Sequence, residues 1–403
     1  MRVLYVSDVY FPRVNGVSTS IATFRADLAA CGVESTLVAP DYPGVGAERG
    51  IVRIPASSVP GDPEDRRMRW RALTRALRVL AHERFDLVHV QTPFIAHYAG
   101  VRHARAAGLP CVATYHTYFA EYLHHYAPLL PRLLGRTLAR AFTRSQCRQV
   151  DALIAPSEPL REILHTYGVT TPIHVLPTGL PAHRFARGDG NRFRALARLP
   201  SERPLLLYVG RVAHEKNIAF LLHAYARIRA SVPQALLVIA GEGPAREGLT
   251  ELAQRLGLAS DVCFVGYLDR DRTLLDCYAA ADAFVFASRT ETQGLVLLEA
   301  MAQGIPVIST AVLGTRSVLE PGSGALVVEE NLEDFAAAAV RLLLTATLRS
   351  ELARRARAYA ERWSSLAMAQ RLTELYADIC RARPATARAV GAPRQPASSA
   401  PDA

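Results

Sequence analysis

The run YVGRVAHEKN, residues 208–217, decides how this chain is read. An apolar stretch over 205–209 stops at Gly210, turns through Arg211 and reaches Lys216 just before a helix-length segment that follows Asn217. Of the 47 basic side chains Lys216 is the one lysine, so wherever a generic positive charge serves, the sequence uses arginine. An ammonium is a compact charge with three rotatable donors, whereas a guanidinium is a flat fork, and the two are not interchangeable around a confined phosphate. Strand, glycine, loop and helix mouth place Arg211 and Lys216 at the carboxyl edge of a sheet, where open α/β folds bind ligands. The pattern points to an anion, a diphosphate, held between them.

The same rhythm extends in both directions. Strand-like runs fall at 2–7, 35–39, 51–54, 87–91, 111–115, 152–156 and 173–176, separated by amphipathic stretches such as 17–30, 66–84 and 95–107. After a linker rich in Pro, Gly, Asp and Asn over 180–191, runs recur at 205–209, 236–240, 262–265, 283–287, 306–309 and 325–328. Strand, helix, strand at this spacing predicts parallel sheets covered on both faces. The expected class is α/β, with doubly wound parallel-sheet domains at 1–182 and 183–363 facing across a cleft. Residues 383–403, rich in Ala, Pro, Ser and Arg, are expected to be disordered.

Composition narrows the function. A chain of 403 residues, half of them hydrophobic and a fifth charged, is too long for one core and ordinary for a soluble enzyme. No apolar run reaches the roughly 18 residues of a membrane span. The start, MRVLYVSDVYF, reads as a first strand rather than a secretion signal. Six scattered cysteines without a C-x-x-C point to a reducing cytoplasm and away from disulfides or zinc. The net charge is +10, of which residues 1–182 carry +6, from 20 Arg against 14 acids. Such a surface suits nucleic acid or an anionic membrane, and no helix-turn-helix or aromatic single-strand platform supports nucleic acid.

The second informative stretch is TETQGLVLLEAMAQG, residues 290–304. Gly294 falls where a loop becomes a helix, with Glu291 in the loop and Glu299 roughly 7–8 Å along the helix axis. The amides of Gly294, Leu295 and Val296 open the helix, and helix starts favour anions. A nucleotide sugar has this layout: Glu291 would read the sugar, the amides the phosphates and Glu299 the ribose.

With these residues assembled, the sequence resembles the family 4 nucleotide-sugar glycosyltransferases, whose two Rossmann-like domains form the GT-B fold. The matching residues are Gly210, Arg211 and Lys216 in GRVAHEKN, Gly241 and Gly243 in GEGP, the pair Glu291 and Glu299, Asn15 and Gly16 in YFPRVNGVSTSI, and His116 in YHTYFAEYLHHY. The resemblance spans about residues 2–376. It implies a UDP-sugar or GDP-sugar donor, no cofactor, retention of anomeric configuration and no divalent metal. Arg211 and Lys216 would take the leaving diphosphate, since one charge pair at 4 Å is worth roughly 4 kcal/mol at an effective dielectric of 20. His116 would contact the sugar opposite Glu291, and Asp8 and Gly16 would border acceptor and diphosphate. A helix over 364–382 would cross back to the first domain. Two departures stand out: Asn15 replaces the first glycine of a common Gly-Gly turn, where Asn tolerates a left-handed backbone, and Thr178 in LPTGL stands where Asn is commoner.

The first-domain blocks look most like members that glycosylate membrane lipids, such as diacylglycerol glucosyltransferases and lipid mannosyltransferases. A soluble or polysaccharide acceptor, or a sugar-nucleotide epimerase of the same fold, are the alternatives. Arg132, Arg136, Arg140, Arg144 and Arg148 recur every four residues beside Leu138 and Phe142, and a second basic cluster surrounds Trp70. That pattern suits peripheral attachment to the inner leaflet of the cytoplasmic membrane. His124 and His125 lack companions at ligand spacing, and Asp269-Arg270-Asp271 mimics a metal-binding D-x-D but precedes a helix it can cap.

Overall fold

The computed structural model describes residues 1–59, 62–116 and 132–382. His124, His125, most of the YHTYFAEYLHHY block and the 383–403 tail lie outside the described residues. The first sheet is built from β1 (Arg2–Val6), β2 (Glu34–Pro40), β3 (Ile51–Ile54), β6 (Leu87–Val90), β7 (Cys111–Thr114), β8 (Ala152–Ala155) and β9 (Ile173–Val175), and β4 (Ala56–Val59) with β5 (Asp62–Met68) forms a separate two-stranded hairpin. The second holds β10 (Leu205–Val209), β11 (Leu236–Ala240), β12 (Val262–Gly266), β13 (Ala283–Phe286), β14 (Val307–Ser309) and β15 (Ala325–Val327). The orders are β3-β2-β1-β6-β7-β8-β9 and β12-β11-β10-β13-β14-β15, with every pair in both sheets parallel. Both start centrally, run outward one way and then reverse, which is the Rossmann order.

Alternation along β1 shows how the first domain is layered. Leu4 and Val6 face a core shared with helices Trp70–Leu80, Ile95–Ala106, Arg132–Cys147 and Glu158–Thr166, while Val3 and Tyr5 face helices Gly16–Ala30 and Ser365–Ala382. The last helix therefore belongs to the second domain's end of the chain and the first domain's core. Its Tyr376 hydroxyl meets Tyr5 Oη at 2.8 Å and His89 Nδ1 at 2.5 Å, and His89 Nε2 meets Thr114 Oγ1 at 2.7 Å. Burial pushes the His89 imidazole down to about 3, so this chain of polar groups is held neutral.

In the second domain, LLLYV and LLVIA are buried along their whole length, as expected of parallel strands covered on both faces. One stretch departs from the sequence reading. The amphipathic segment expected over 66–84 is divided: Arg66 and Arg67 belong to β5, pairing antiparallel with Ser58 and Ser57, and the helix begins only at Trp70. Among the described residues no helix is long and apolar enough to cross a membrane.

Candidate active site

Each sheet reverses its order once, between β1 and β6 and between β10 and β13, and such reversals open a crevice at the strands' carboxyl ends. In the second sheet β10 leads to Gly210 and Arg211, and β13 to the loop carrying Glu291. Adjacent strands thus deliver residues 75 apart in sequence to one place: Lys216 Nζ donates to Glu291 Oε1 at 2.5 Å. Lys216 ends a single 3-10 turn, His214–Lys216, after which Asn217 takes the left-handed conformation with φ 56° and starts helix Ile218–Ser231. Arg211 Nη1 lies 3.9 Å from Glu215 Oε1. Each expected cation therefore has a carboxylate partner, Lys216 with Glu291 and Arg211 with Glu215. Glu215 was not anticipated; its position four residues after Arg211 was the available signal.

The matched glycines Gly210, Gly241 and Gly243 lie where the loops after β10 and β11 pack closely. The Val212 amide donates to the Glu242 carbonyl at 2.8 Å and the Ala245 amide to the Val212 carbonyl at 3.0 Å, lacing the loop after β10 to the loop after β11. A Cβ on Gly241 would stand 2.0 Å from the Gly210 carbonyl oxygen, and one on Gly243 2.4 Å from that of Val212. Gly294 caps helix Leu295–Ala302 with φ 92°, a backbone that only glycine adopts at little cost. The Leu295 and Val296 amides follow it in the first turn, facing the end where a helix favours negative charge.

Glu299 lies further along the helix that Gly294 caps. Only 3% exposed, it accepts from Arg270 Nη2 at 2.5 Å and from the Tyr278 hydroxyl at 3.0 Å, with Arg184 Nε 4.0 Å away. The sequence reading, which assigned Glu299 to the ribose, did not include these partners, whose contacts depend on how the segments following β9 and β12 pack. The Glu299 carboxylate raises the Arg270 pKa, and burial pushes the Tyr278 hydroxyl far up.

On the facing domain, His116 follows β7, and its Nε2 donates to Gln91 Oε1 at 3.0 Å. Burial pushes its pKa down to about 4, so the imidazole is neutral near pH 7. Asp8, directly beyond β1, accepts from Thr92 Oγ1 at 2.8 Å and from the Ala96 amide at 3.0 Å, capping helix Ile95–Ala106. Burial raises its carboxyl to about 6 against those hydrogen bonds. Asn15 differs from expectation: its backbone is extended, φ −156°, and Oδ1 accepts from the Ser18 amide at 2.9 Å. It is a helix cap rather than a left-handed turn, which explains why a polar side chain serves there in place of a glycine. Gly16 is the first helical residue and is exposed, with open space where a Cβ would stand. Asp269 caps as expected, accepting from the Arg272 amide at 2.9 Å.

Two facing Rossmann sheets are the architecture of GT-B glycosyltransferases, and a solved sucrose-phosphate synthase from Thermosynechococcus elongatus shares this fold. The two superpose with a TM-score of 0.77 at 21% identity, over 95% of this chain and 100% of that one. The family described as "Glycosyl transferases group 1" matches residues 191–363, and "Glycosyltransferase Family 4" matches 14–184. An alpha-monoglucosyldiacylglycerol synthase of Streptococcus pneumoniae is 34% identical over 317 residues, 77% of this chain and 71% of that protein. A GDP-mannose-dependent alpha-mannosyltransferase of Mycobacterium tuberculosis is 30% identical over 339 residues, covering 80% and 82%. The chain belongs to the family 4 glycosyltransferases.

Proposed function

We propose that this glycosyltransferase moves a hexose from a UDP-sugar or GDP-sugar onto a membrane lipid such as diacylglycerol, retaining anomeric configuration and needing neither a divalent metal nor another cofactor. The observation that carries the reading is the Lys216–Glu291 pair at the switch point, with Arg211 in the same loop after β10. Breaking the bond between C1 of the sugar and the diphosphate leaves negative charge on phosphate oxygens. Arg211 and Lys216 stabilise that charge as it develops, a task a metal performs elsewhere. Glu291, released from Lys216 by the arriving phosphates, takes sugar hydroxyls; the amides of Gly294, Leu295 and Val296 assist at the diphosphate, and Glu299 with Arg270 borders the ribose. His116, neutral, faces the sugar from the acceptor side. Both relatives quoted above are named for α-linked transfer, and an α product from an α-linked donor is retention.

The lipid acceptor rests on the name of the first relative, a diacylglycerol glycolipid synthase, and on the first domain's surface. Arg140, Arg144 and Arg148 are exposed alongside Leu138, 50% exposed, and Phe142, 37% exposed. A basic face carrying apolar side chains suits the inner leaflet of the cytoplasmic membrane. The test uses UDP-glucose and GDP-mannose with diacylglycerol in mixed micelles, products read by mass. Lys216→Ala and Arg211→Ala are each expected to lower turnover by about 100-fold or more, with the circular dichroism unchanged. Turnover is expected to persist in excess EDTA. Near-normal activity in both variants would overturn the clamp, and strict metal dependence would overturn the metal-free mechanism.

A further inference from the structure

The loop that carries Glu291 also grips the chain at Thr178, just before it crosses between the domains, the segment expected to act as a hinge. Two residues after Glu291, the Gln293 side chain closes on the backbone of Thr178: the Thr178 amide donates to Oε1 at 2.8 Å, and Nε2 donates to the Thr178 carbonyl at 2.6 Å. Both residues are buried, 5% and 3% exposed. Thr178 in turn touches the first domain, its Oγ1 lying 2.7 Å from Ser20 Oγ. Just beyond it the chain crosses to the second domain beside the returning strand of chain: Leu180 donates to the Trp363 carbonyl at 2.6 Å and the Ser365 amide to Leu180 at 3.0 Å. A Cβ on Gly179 would stand 2.5 Å from Ser365 Cα, so both crossings are packed backbone to backbone.

The residue between, Thr292, makes a second tether. Its carbonyl accepts from Ser157 Oγ at 2.6 Å. Ser157 stands at the N-cap of helix Glu158–Thr166 in the first domain, yet its side chain makes no capping bond, the hydroxyl being committed across the cleft instead. Three consecutive residues thus hold three bodies: Glu291 the Lys216 ammonium, Thr292 the first domain, Gln293 the hinge. Only two peptide units separate Glu291 from Gln293, so a shift of the backbone at Glu291 has a short path to both others.

We infer that Gln293 is a positioning residue: with the Thr292 carbonyl, it converts occupancy of the donor site at Glu291 into a change of angle between the two domains. The inference rests on the donor reading given above and adds to it the route from ligand to closure. A side-chain amide suits the role because it offers one acceptor and one donor at the spacing of a single residue's N–H and C=O. Methionine keeps its length and removes both bonds.

The test compares the unsubstituted protein with Gln293→Met and Ser157→Ala. UDP and GDP binding is measured by calorimetry, the radius of gyration with and without nucleotide by solution scattering, and kcat and donor KM by turnover. The unsubstituted protein should bind a nucleotide and contract. Gln293→Met should bind within about threefold of that affinity, fail to contract, and lose about tenfold or more in kcat with donor KM little changed, as misplacement of reacting groups costs rate rather than ground-state binding. Ser157→Ala should show the same signs more weakly, and decides the matter if Gln293→Met does not fold. Normal contraction and kcat in the folded variants would overturn the coupling alone. Failure of the unsubstituted protein to bind either nucleotide would overturn the donor reading and the coupling with it.

Discussion

At the scale of single residues, the site is held together at rest by charges that a substrate must separate. The Lys216 and Glu291 side chains are only 12% and 22% exposed, so each relies on the other for compensation. Removing either leaves its partner poorly solvated, at a cost on the order of 1–3 kcal/mol. Denaturant unfolding is therefore expected to show Glu291→Leu and Lys216→Met each less stable than the parent, and the double variant more stable than the sum of the two losses predicts. Strict additivity would mean the pair has no coupling. Lys216 and Glu291 were legible in the sequence because the first is the one lysine and the second stands ahead of a helix-start glycine. Arg270 and Tyr278 were not, because these partners of Glu299 are chosen by strand order and loop packing, and neither is written in local spacing.

Helix Ser365–Ala382 shows what an element contributes beyond its own face. It places Tyr376 between Tyr5 and His89, all three buried, inside the first sheet's second core. His89 has a folded pKa of about 3 against an ordinary value near 6.5. Between those values the unfolded chain binds the proton and the folded chain does not, so stability rises with pH there and is lost as pH falls from about 6.5 toward 3. His97 and His116, each pushed down to about 4, act in the same direction. The unfolding midpoint should therefore fall steeply on acidification, and His89→Gln should make that fall shallower; an unchanged slope would remove His89 from the account. Most elements were readable to within a residue or two, since doubly covered parallel strands are apolar along their whole length. The β4–β5 hairpin was not, because DPEDRRM has neither apolar alternation nor the branched and aromatic residues that favour strands.

On the scale of the whole molecule, one layer of the first domain carries the exposed arginines of helix Arg132–Cys147, and the inward positions Ala139, Thr143, Gln146 and Cys147 are small or polar. Leu138 and Phe142 lie outward with the arginines, which reverses the usual amphipathic arrangement and suits a surface both charged and greasy. Vesicles containing anionic lipid should sediment the protein at low salt and release it as ionic strength rises past the physiological range, and Arg140→Glu with Arg144→Glu should abolish sedimentation while the fold persists. Binding indifferent to salt would sink the electrostatic part of that picture. The crossing of helix Ser365–Ala382 also bears on how the protein comes into being. Tyr5 and Tyr376, hydrogen-bonded partners, are separated by 371 positions. As the chain leaves the ribosome, the second domain has all its strands before the first domain has its last helix. The half made first is thus completed last, and until the final helix is released it presents an uncovered apolar face, the stage at which a chaperone has most to shield.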